Sequence, residues 1–319
     1  MKPVIAVLGL SMSLSAAVKI EKTAYRGWPN CYRLSNGEVE LIVTTDIGPR
    51  VIRYGFAGGQ NLFKEYAEQM GKSGEKTWQA RGGHRVWMAP EDPVLSYALD
   101  NSPVHAEVRG DSIELTQNVE PESGLQKQMI VKLAATGTHV EVTHRITNRG
   151  SKVRDIATWA LTQMAPGGTG ISLFPPRGTH DKILAPTNPL VMWAYTDFSD
   201  NRWHFTKKYL TLRNDANNAS PQKVGLYNSN TAGAYLLGTD LFIKQYTPGD
   251  PLKQPDFGCS YETFTNNEFL EMETLGQLTQ VKSGASIQHI ERWSLAKNVH
   301  FSAWTDAEID RVLLPLLKQ

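Results

Sequence analysis

Val104-His105-Ala106-Glu107-Val108 runs into Arg109-Gly110-Asp111 and then into Ser112-Ile113-Glu114-Leu115-Thr116. Apolar and polar residues alternate on both sides of a glycine turn, which is the pattern of two half-buried strands joined as an antiparallel hairpin. The same pattern recurs outward from this stretch, in Glu38-Val39-Glu40-Leu41-Ile42-Val43 and in Gln128-Met129-Ile130-Val131-Lys132-Leu133. Ser35-Asn36-Gly37, Ala135-Thr136-Gly137 and Asn148-Arg149-Gly150 each lie between two such runs, so further hairpins are predicted there. Helical periodicity is absent until the end, where Thr305 caps a short helix, with Glu308 three residues on and Ile309, Val312 and Leu313 before Pro315. Neither an internal repeat nor a low-complexity linker divides the chain. The fold expected is all-β: one large antiparallel β-sandwich domain over residues 18–319, with a short C-terminal helix.

The 319 residues suit such a unit, since large sandwiches run long as single domains. An apolar share of 40% with 20% charged residues excludes a disordered chain, a coiled coil and a collagen-like repeat. Lys and Arg total 33 against 32 Asp and Glu, so no global field attracts nucleic acid or an acidic membrane. A small neutral or locally read ligand fits this balance better. Met1-Lys2 followed by the apolar and small residues Val4 to Ala17 reads as a secretory signal peptide, residues 1–17, cleaved after Ala17. The stretch is shorter than the roughly 20 residues of a membrane-spanning helix. A periplasmic or secreted protein starting at Val18, with no membrane attachment after cleavage, is therefore expected. Cys31 and Cys259 are too few for a disulfide framework and lack metal or redox spacing; whether they pair stays open.

Three blocks carry the candidate chemistry. The densest is Gly82-Gly83-His84-Arg85-Val86-Trp87-Met88-Ala89-Pro90-Glu91-Asp92, in which two glycines let backbone approach a ligand before His, Arg, Trp and Glu follow. In the second, Asp256-Phe257-Gly258 precedes Phe269-Leu270-Glu271-Met272-Glu273-Thr274, and Glu271 and Glu273 share one strand face roughly 7 Å apart. Like charges at that spacing raise each other's pKa, which suits a general acid or base and also occurs on a solvated face. The third is Val140 to Asn148, where His144 falls on the face of Val140, Val142 and Ile146; a core histidine and a catalyst are both open there. Arg50, and the run Trp193-Ala194-Tyr195-Thr196-Asp197 with Arg202 and Trp203, complete the set; aromatic faces beside charged groups suit sugar rings. There is no G-x-S-x-G elbow, Walker loop, dinucleotide fingerprint or H-E-x-x-H zinc helix, so serine-triad, phosphoryl and hydride chemistry lose their weight.

Ile47-Gly48-Pro49-Arg50, Gly59-Gln60-Asn61-Leu62-Phe63, the Gly82–Glu91 block, Pro255-Asp256-Phe257-Gly258, Glu271-Met272-Glu273-Thr274-Leu275-Gly276 and the closing Gly284-x-x-x-x-His289-x-Glu291-x-Trp293 occur in this order. The order resembles an uncharacterised bacterial family, a domain of unknown function, which is in turn similar to the galactose mutarotase-like superfamily of aldose 1-epimerases and hexose-6-phosphate mutarotases. The resemblance covers nearly the whole chain after residue 17 and implies a supersandwich whose concave face binds a sugar or glycan. It implies substrate-binding roles for the Arg85 segment and a catalytic role for Glu273. The family's catalytic histidine belongs on a mid-chain strand, and the matching stretch, Ile156 to Met164, contains none. Either His84 or His144 replaces it, or the chain binds sugar without that chemistry.

The reading that follows is an exported aldose 1-epimerase-like enzyme needing no cofactor. Glu273 is the expected base, His84 or His144 the expected acid, and Arg50 and Arg85 the groups that hold hydroxyls and developing charge. Trp87, Glu91, Asp256 and Glu271 complete the expected substrate site. A carbohydrate-binding protein without catalysis, and a glycan-cleaving enzyme using Glu271 with Glu273 or Glu91, are the alternatives.

Overall fold

The computed structural model describes residues 17–229 and 231–318, so the signal-peptide reading lies, but for Ala17, outside the described residues. Two antiparallel sheets of eleven and ten strands face each other. The middle of the larger sheet runs, in spatial order, Arg50–Phe56, Gly83–Ala89, Arg154–Met164, Leu270–Leu275, Tyr261–Thr265 and Gln222–Leu226. The smaller sheet places Asp240–Tyr246, Ser286–Ala296, Val140–Asn148, Leu125–Leu133 and Ser112–Thr116 side by side. This is the large antiparallel β-sandwich expected from the alternation.

The hairpins at Asn36-Gly37, Gly110 and Gly137 form as expected, each joining neighbours in one sheet. The turn at Asn148-Arg149-Gly150 does not close a hairpin. It carries the chain from Val140–Asn148 in the smaller sheet to Arg154–Met164 in the larger one. A glycine turn specifies chain reversal, and nothing in it selects the sheet that receives the next strand.

Between the sheets, Tyr54, Phe63, Phe242 and Trp293 form a ring cluster with centroids 5.6–6.1 Å apart, in tilted and edge-on arrangements that favour aromatic pairs by about 0.5–1.5 kcal/mol beyond their area. The C-terminal helix, Asp306–Leu316, is capped by the Thr305 hydroxyl and packs Ile309 and Leu313 against Ile171, Leu241 and Ile243 of the smaller sheet. It runs through Pro315 to Leu316, two residues beyond the expected stop before Pro315. Cys31 and Cys259 are both buried and free.

Candidate functional site

Strand parity decides which side chains meet, because successive residues of a strand point to opposite faces. On the larger sheet, the odd-numbered residues of Gly83–Ala89, Arg154–Met164 and Leu270–Leu275 point away from the sandwich interior. Register then sets Arg85 beside Leu161, Leu161 beside Glu273, Glu273 beside Glu262 and Glu262 beside Gly225 in one row. The next row runs Gly83, Gln163, Glu271, Phe264 and Lys223. Trp87 pairs with Trp159 one step along in the other direction.

These rows form the floor of a cleft of about 290 Å³, walled by Trp78, Trp87, Tyr97, Trp159, Tyr195, Phe264 and Phe269. Arg85 lies over the rings of Trp87 and Trp78, 4.5 and 5.4 Å from their centroids, and 3.3 Å from a Glu271 oxygen. Lys223 reaches diagonally across the floor to Glu273 at 2.9 Å and Glu262 at 2.8 Å, between the rings of Trp159 and Trp193. The Trp159 indole N–H donates to Glu273 Oε2 at 2.8 Å. Gly225 makes room for this stack: a Cβ there would fall 3.1 Å from Trp193 and 2.4 Å from Cys259 Sγ.

Electrostatics separates the two carboxylates that looked equivalent in sequence. Glu273 is completely covered by Lys223 and Trp159 and does not line the cleft, whereas Glu271 lines it with 8% of its surface exposed. Burial pushes the Glu271 carboxyl up to about 7, with Arg85 opposing the rise and Glu273 adding to it. Burial also raises Glu262 well above the usual carboxylate range, against the pull of Lys223. Desolvation opposes the charge on Lys223, yet Glu262 and Glu273 outweigh it and hold the ammonium well above its ordinary value. Asp256, expected in the substrate site, is half-buried and hydrogen-bonds Glu262 without lining the cleft, and its carboxyl is raised by burial as well.

Arg85, Trp87 and Glu271 thus line the cleft, with Glu273 in the floor beneath Lys223 and Trp159. Glu91 does not line the cleft; it accepts from the hydroxyl of Tyr97, which does, at 2.6 Å. Arg50 does not line the cleft. It is wholly buried and spends its guanidinium on Asp100, at 2.6 Å, and on the carbonyls of Ala80 and Gly82. Gly82 and Gly83 serve close backbone packing instead of ligand approach: added Cβ atoms would sit 1.9 Å from Lys64 O and 2.3 Å from Val51 O. Arg202 binds Asp200 and two carbonyls, and Trp203 is core.

His84 and His144, the expected acids opposite Glu273, lie on the other side of the sheet, between the two layers. The reason is parity: Arg85 and Trp87 point out, so His84 points in and meets His144 from the facing sheet, with Nε2 atoms 2.6 Å apart. His144 Nδ1 donates to the His289 carbonyl at 3.0 Å, which leaves its Nε2 to accept from His84, whose Nδ1 accepts from Thr162 at 2.8 Å. Next to them His289 Nε2 meets the Thr274 hydroxyl, which donates to Glu291. Glu291 also binds Lys244, at 2.9 Å, and Trp293 Nε1, at 2.8 Å. Desolvation drives His84 and His144 below the ordinary imidazole value and His289 to about 3, so all three are neutral. His84, His144 and Glu291 present ligand-type atoms within 4.8 Å of one another, but Lys244 already supplies the positive charge beside Glu291 and both ring nitrogens of His84 and of His144 have partners. The cluster is complete as a hydrogen-bonded network.

Sequence reading missed Trp78, Gln163, Lys223, Glu262 and Phe264. Alternation in Tyr261–Thr265 and Gln222–Leu226 marks both as strands, but no local signal says that Lys223 and Glu262 face a cleft instead of water. Trp159 stands in the stretch Ile156 to Met164 where the resemblance called for a histidine, and it offers Glu273 a hydrogen bond without a transferable imidazole proton.

No family model matches the chain, and no curated protein does. Solved structures do. A galactose mutarotase-like protein from Lactobacillus casei matches with a TM-score of 0.57 at 12% identity, over 84% of this chain and 100% of that one. A galactose mutarotase related enzyme from Lactobacillus acidophilus matches with a TM-score of 0.53 at 7% identity, over 84% and 98% of the two chains. The Slr1438 protein from Synechocystis matches with a TM-score of 0.56 at 12% identity, over 88% and 99%. At these identities the likeness establishes the fold.

Proposed function

We propose that this chain is an exported sugar-binding protein that holds a neutral sugar in the cleft of its mutarotase-like sandwich. One observation carries this reading. Among the side chains that line the cleft, Arg85 Nε and Nη1, Trp78 Nε1 and Gln163 Oε1 are buried without any partner in the protein. Buried polar atoms of this kind need hydrogen bonds, and here donors and an acceptor stand together between aromatic faces. A sugar hydroxyl gives and accepts, and the C–H face of a sugar ring stacks on indole. Charge selects a neutral ring over a phosphate or uronate: Arg85 is already held by Glu271, and Lys223 by Glu262 and Glu273.

A second reading, anomer exchange of the aldose 1-epimerase type, is favoured by Glu271. Its carboxyl reaches the cleft and titrates at about 7, so near neutrality both protonation states are populated. In the protonated state the O–H donates to the ring oxygen while the other oxygen accepts the proton of the anomeric hydroxyl. The C1–O5 bond breaks, C1 becomes an aldehyde, the ring oxygen leaves as a hydroxyl, and Glu271 is again protonated. Rotation about C1–C2 and reversal of the same transfer give the other anomer. Arg85 steadies the hydroxyls, and Glu273 positions Lys223 and Trp159.

Calorimetric titration of D-glucose, D-galactose and D-mannose tests binding. Exchange spectroscopy on the anomeric protons of the sugars that bind tests catalysis. Glu271→Gln is expected to lower exchange by about 10² to 10⁴ with affinity kept, the usual range for a lost general acid or base. If Glu273→Gln is the more damaging change in exchange at unchanged stability, the assignment of the two carboxylates is reversed. Wild-type exchange at the spontaneous rate leaves the binding reading alone.

A further inference from the structure

The loop of residues 247–259 carries the two most exposed large apolar side chains of the described residues, Leu252 at 93% and Phe257 at 91%. Asp256, Phe257 and Gly258 all have positive φ, of 50°, 60° and 101°. Glycine takes that region freely, but a phenylalanine there is a backbone outlier held at a conformational cost. The loop is fixed in place. Pro255 O accepts from the Gly258 and Cys259 amides at 2.9 Å each, and Cys259 Sγ donates to Asp256 O at 3.0 Å. The buried Gln254, with its amide turned so that nitrogen and oxygen both find partners, donates to Cys259 O and Gly276 O and accepts from Gly249 N. An apolar ring is thus held rigidly in solvent, at a conformational cost, with no packing partner to offset it.

Its neighbour shows where the ring stands. A Cβ on Gly225, in the row of Glu262 and Glu273, would fall 2.4 Å from Cys259 Sγ, and Asp256 hydrogen-bonds Glu262 of the same row, so the turn stands at the end of that row. We propose that Phe257 is an outer stacking platform, which takes the second ring of an oligosaccharide whose terminal sugar occupies the cleft. This rests on the sugar-binding reading of the cleft and extends it from a monosaccharide to a chain end. The acidic surroundings of Asp256 argue against an anionic lipid surface as the occupant, and continuity with the cleft argues for a ligand already anchored there. A ring that contributes only by stacking adds affinity without polar discrimination, so the platform tolerates different linkages.

The test compares each monosaccharide that binds with its linear di-, tri- and tetrasaccharides, by calorimetry, on wild type, Phe257→Ala, Phe257→Gly and Phe257→Trp. The disaccharide is expected to bind roughly three- to tenfold tighter than the monosaccharide, the range of one aromatic contact, with little added beyond it. Phe257→Ala and Phe257→Gly are expected to lose that gain and keep monosaccharide affinity within about twofold. Phe257→Trp is expected to keep the gain. Phe257→Gly is further expected to melt at the same temperature as wild type or higher, because glycine relieves the positive φ. Three results overturn the platform: equal affinity for mono- and disaccharide, a gain that survives Phe257→Gly, or a clear loss of stability in Phe257→Gly, which makes the ring structural. Absence of binding by any sugar, long or short, overturns the cleft reading itself.

Discussion

His84 and Arg85 are consecutive, yet they belong to opposite worlds. Arg85 opens onto a cleft with unpartnered donors, whereas His84 ends in a sealed network where each proton has a defined place. Both faces bury carboxylates and cations between aromatic rings. The difference is balance. Inside, Lys244 and Glu291 cancel and three imidazoles are neutral. In the cleft, Glu271, Glu273 and Glu262 outnumber Arg85 and Lys223, and burial, with Glu273 adding to it, pushes the Glu271 carboxyl up to about 7. A buried polar assembly that is complete stabilises one arrangement; one left incomplete is available to a ligand.

The contrast breaks most directly at Lys244. Lys244→Met strands the Glu291 charge between the sheets and is expected to cost about 3–5 kcal/mol in urea unfolding, with sugar affinity of the folded fraction unchanged. A cost under about 1 kcal/mol would mean that the interior is not a closed ionic network. On the other face, Arg85→Ala is expected to leave stability nearly intact and to weaken sugar binding by about 1.5–3 kcal/mol, the worth of hydrogen bonds to a charged group. Equal affinity in the folded variant would return the Arg85 block to a structural role.

The smallest effect, and the one that sharpens the comparison, is in the pH dependence of stability. The three imidazoles have folded pKa values below their ordinary 6.5, so below that pH the unfolded chain takes up protons that the folded chain refuses. Stability therefore falls as pH drops through this window. Glu271 has the opposite sign: its folded value is about 7 against an ordinary 4.5, so the folded chain keeps a proton that the unfolded chain releases. Its contribution is present below about 4.5 and is lost as pH rises toward 7. Stability profiles from pH 4.5 to 7.5 are expected to steepen in Glu271→Gln and to flatten in His144→Gln, each by at most about 1.4 kcal/mol per pH unit. A Glu271→Gln profile parallel to wild type would place that carboxyl in ordinary solvent.

Much of the molecule follows from alternation alone. Polar and apolar residues trading places over Ser112–Thr116 and Leu125–Leu133 commit those segments to strands with one buried face, because the side-chain period of a strand is two. Asn36-Gly37 and Gly110 commit the chain to reversals, and Thr305 with Glu308 to a capped helix. The same period already placed His144 among Val140, Val142 and Ile146, and set Glu271 and Glu273 on one face. Local sequence leaves undetermined which face meets the other sheet and which strands become neighbours. Arg85, Glu271 and Lys223 share a cleft only through the registers of five strands, brought together from separations of up to 186 residues. The exposure of Glu271 and the burial of Glu273 depend on Lys223 and Trp159 from two other strands. Hydrogen-bond register and sheet order are settled by the packing of the whole sandwich, so the fold was legible one strand at a time, whereas the site exists only where the strands meet.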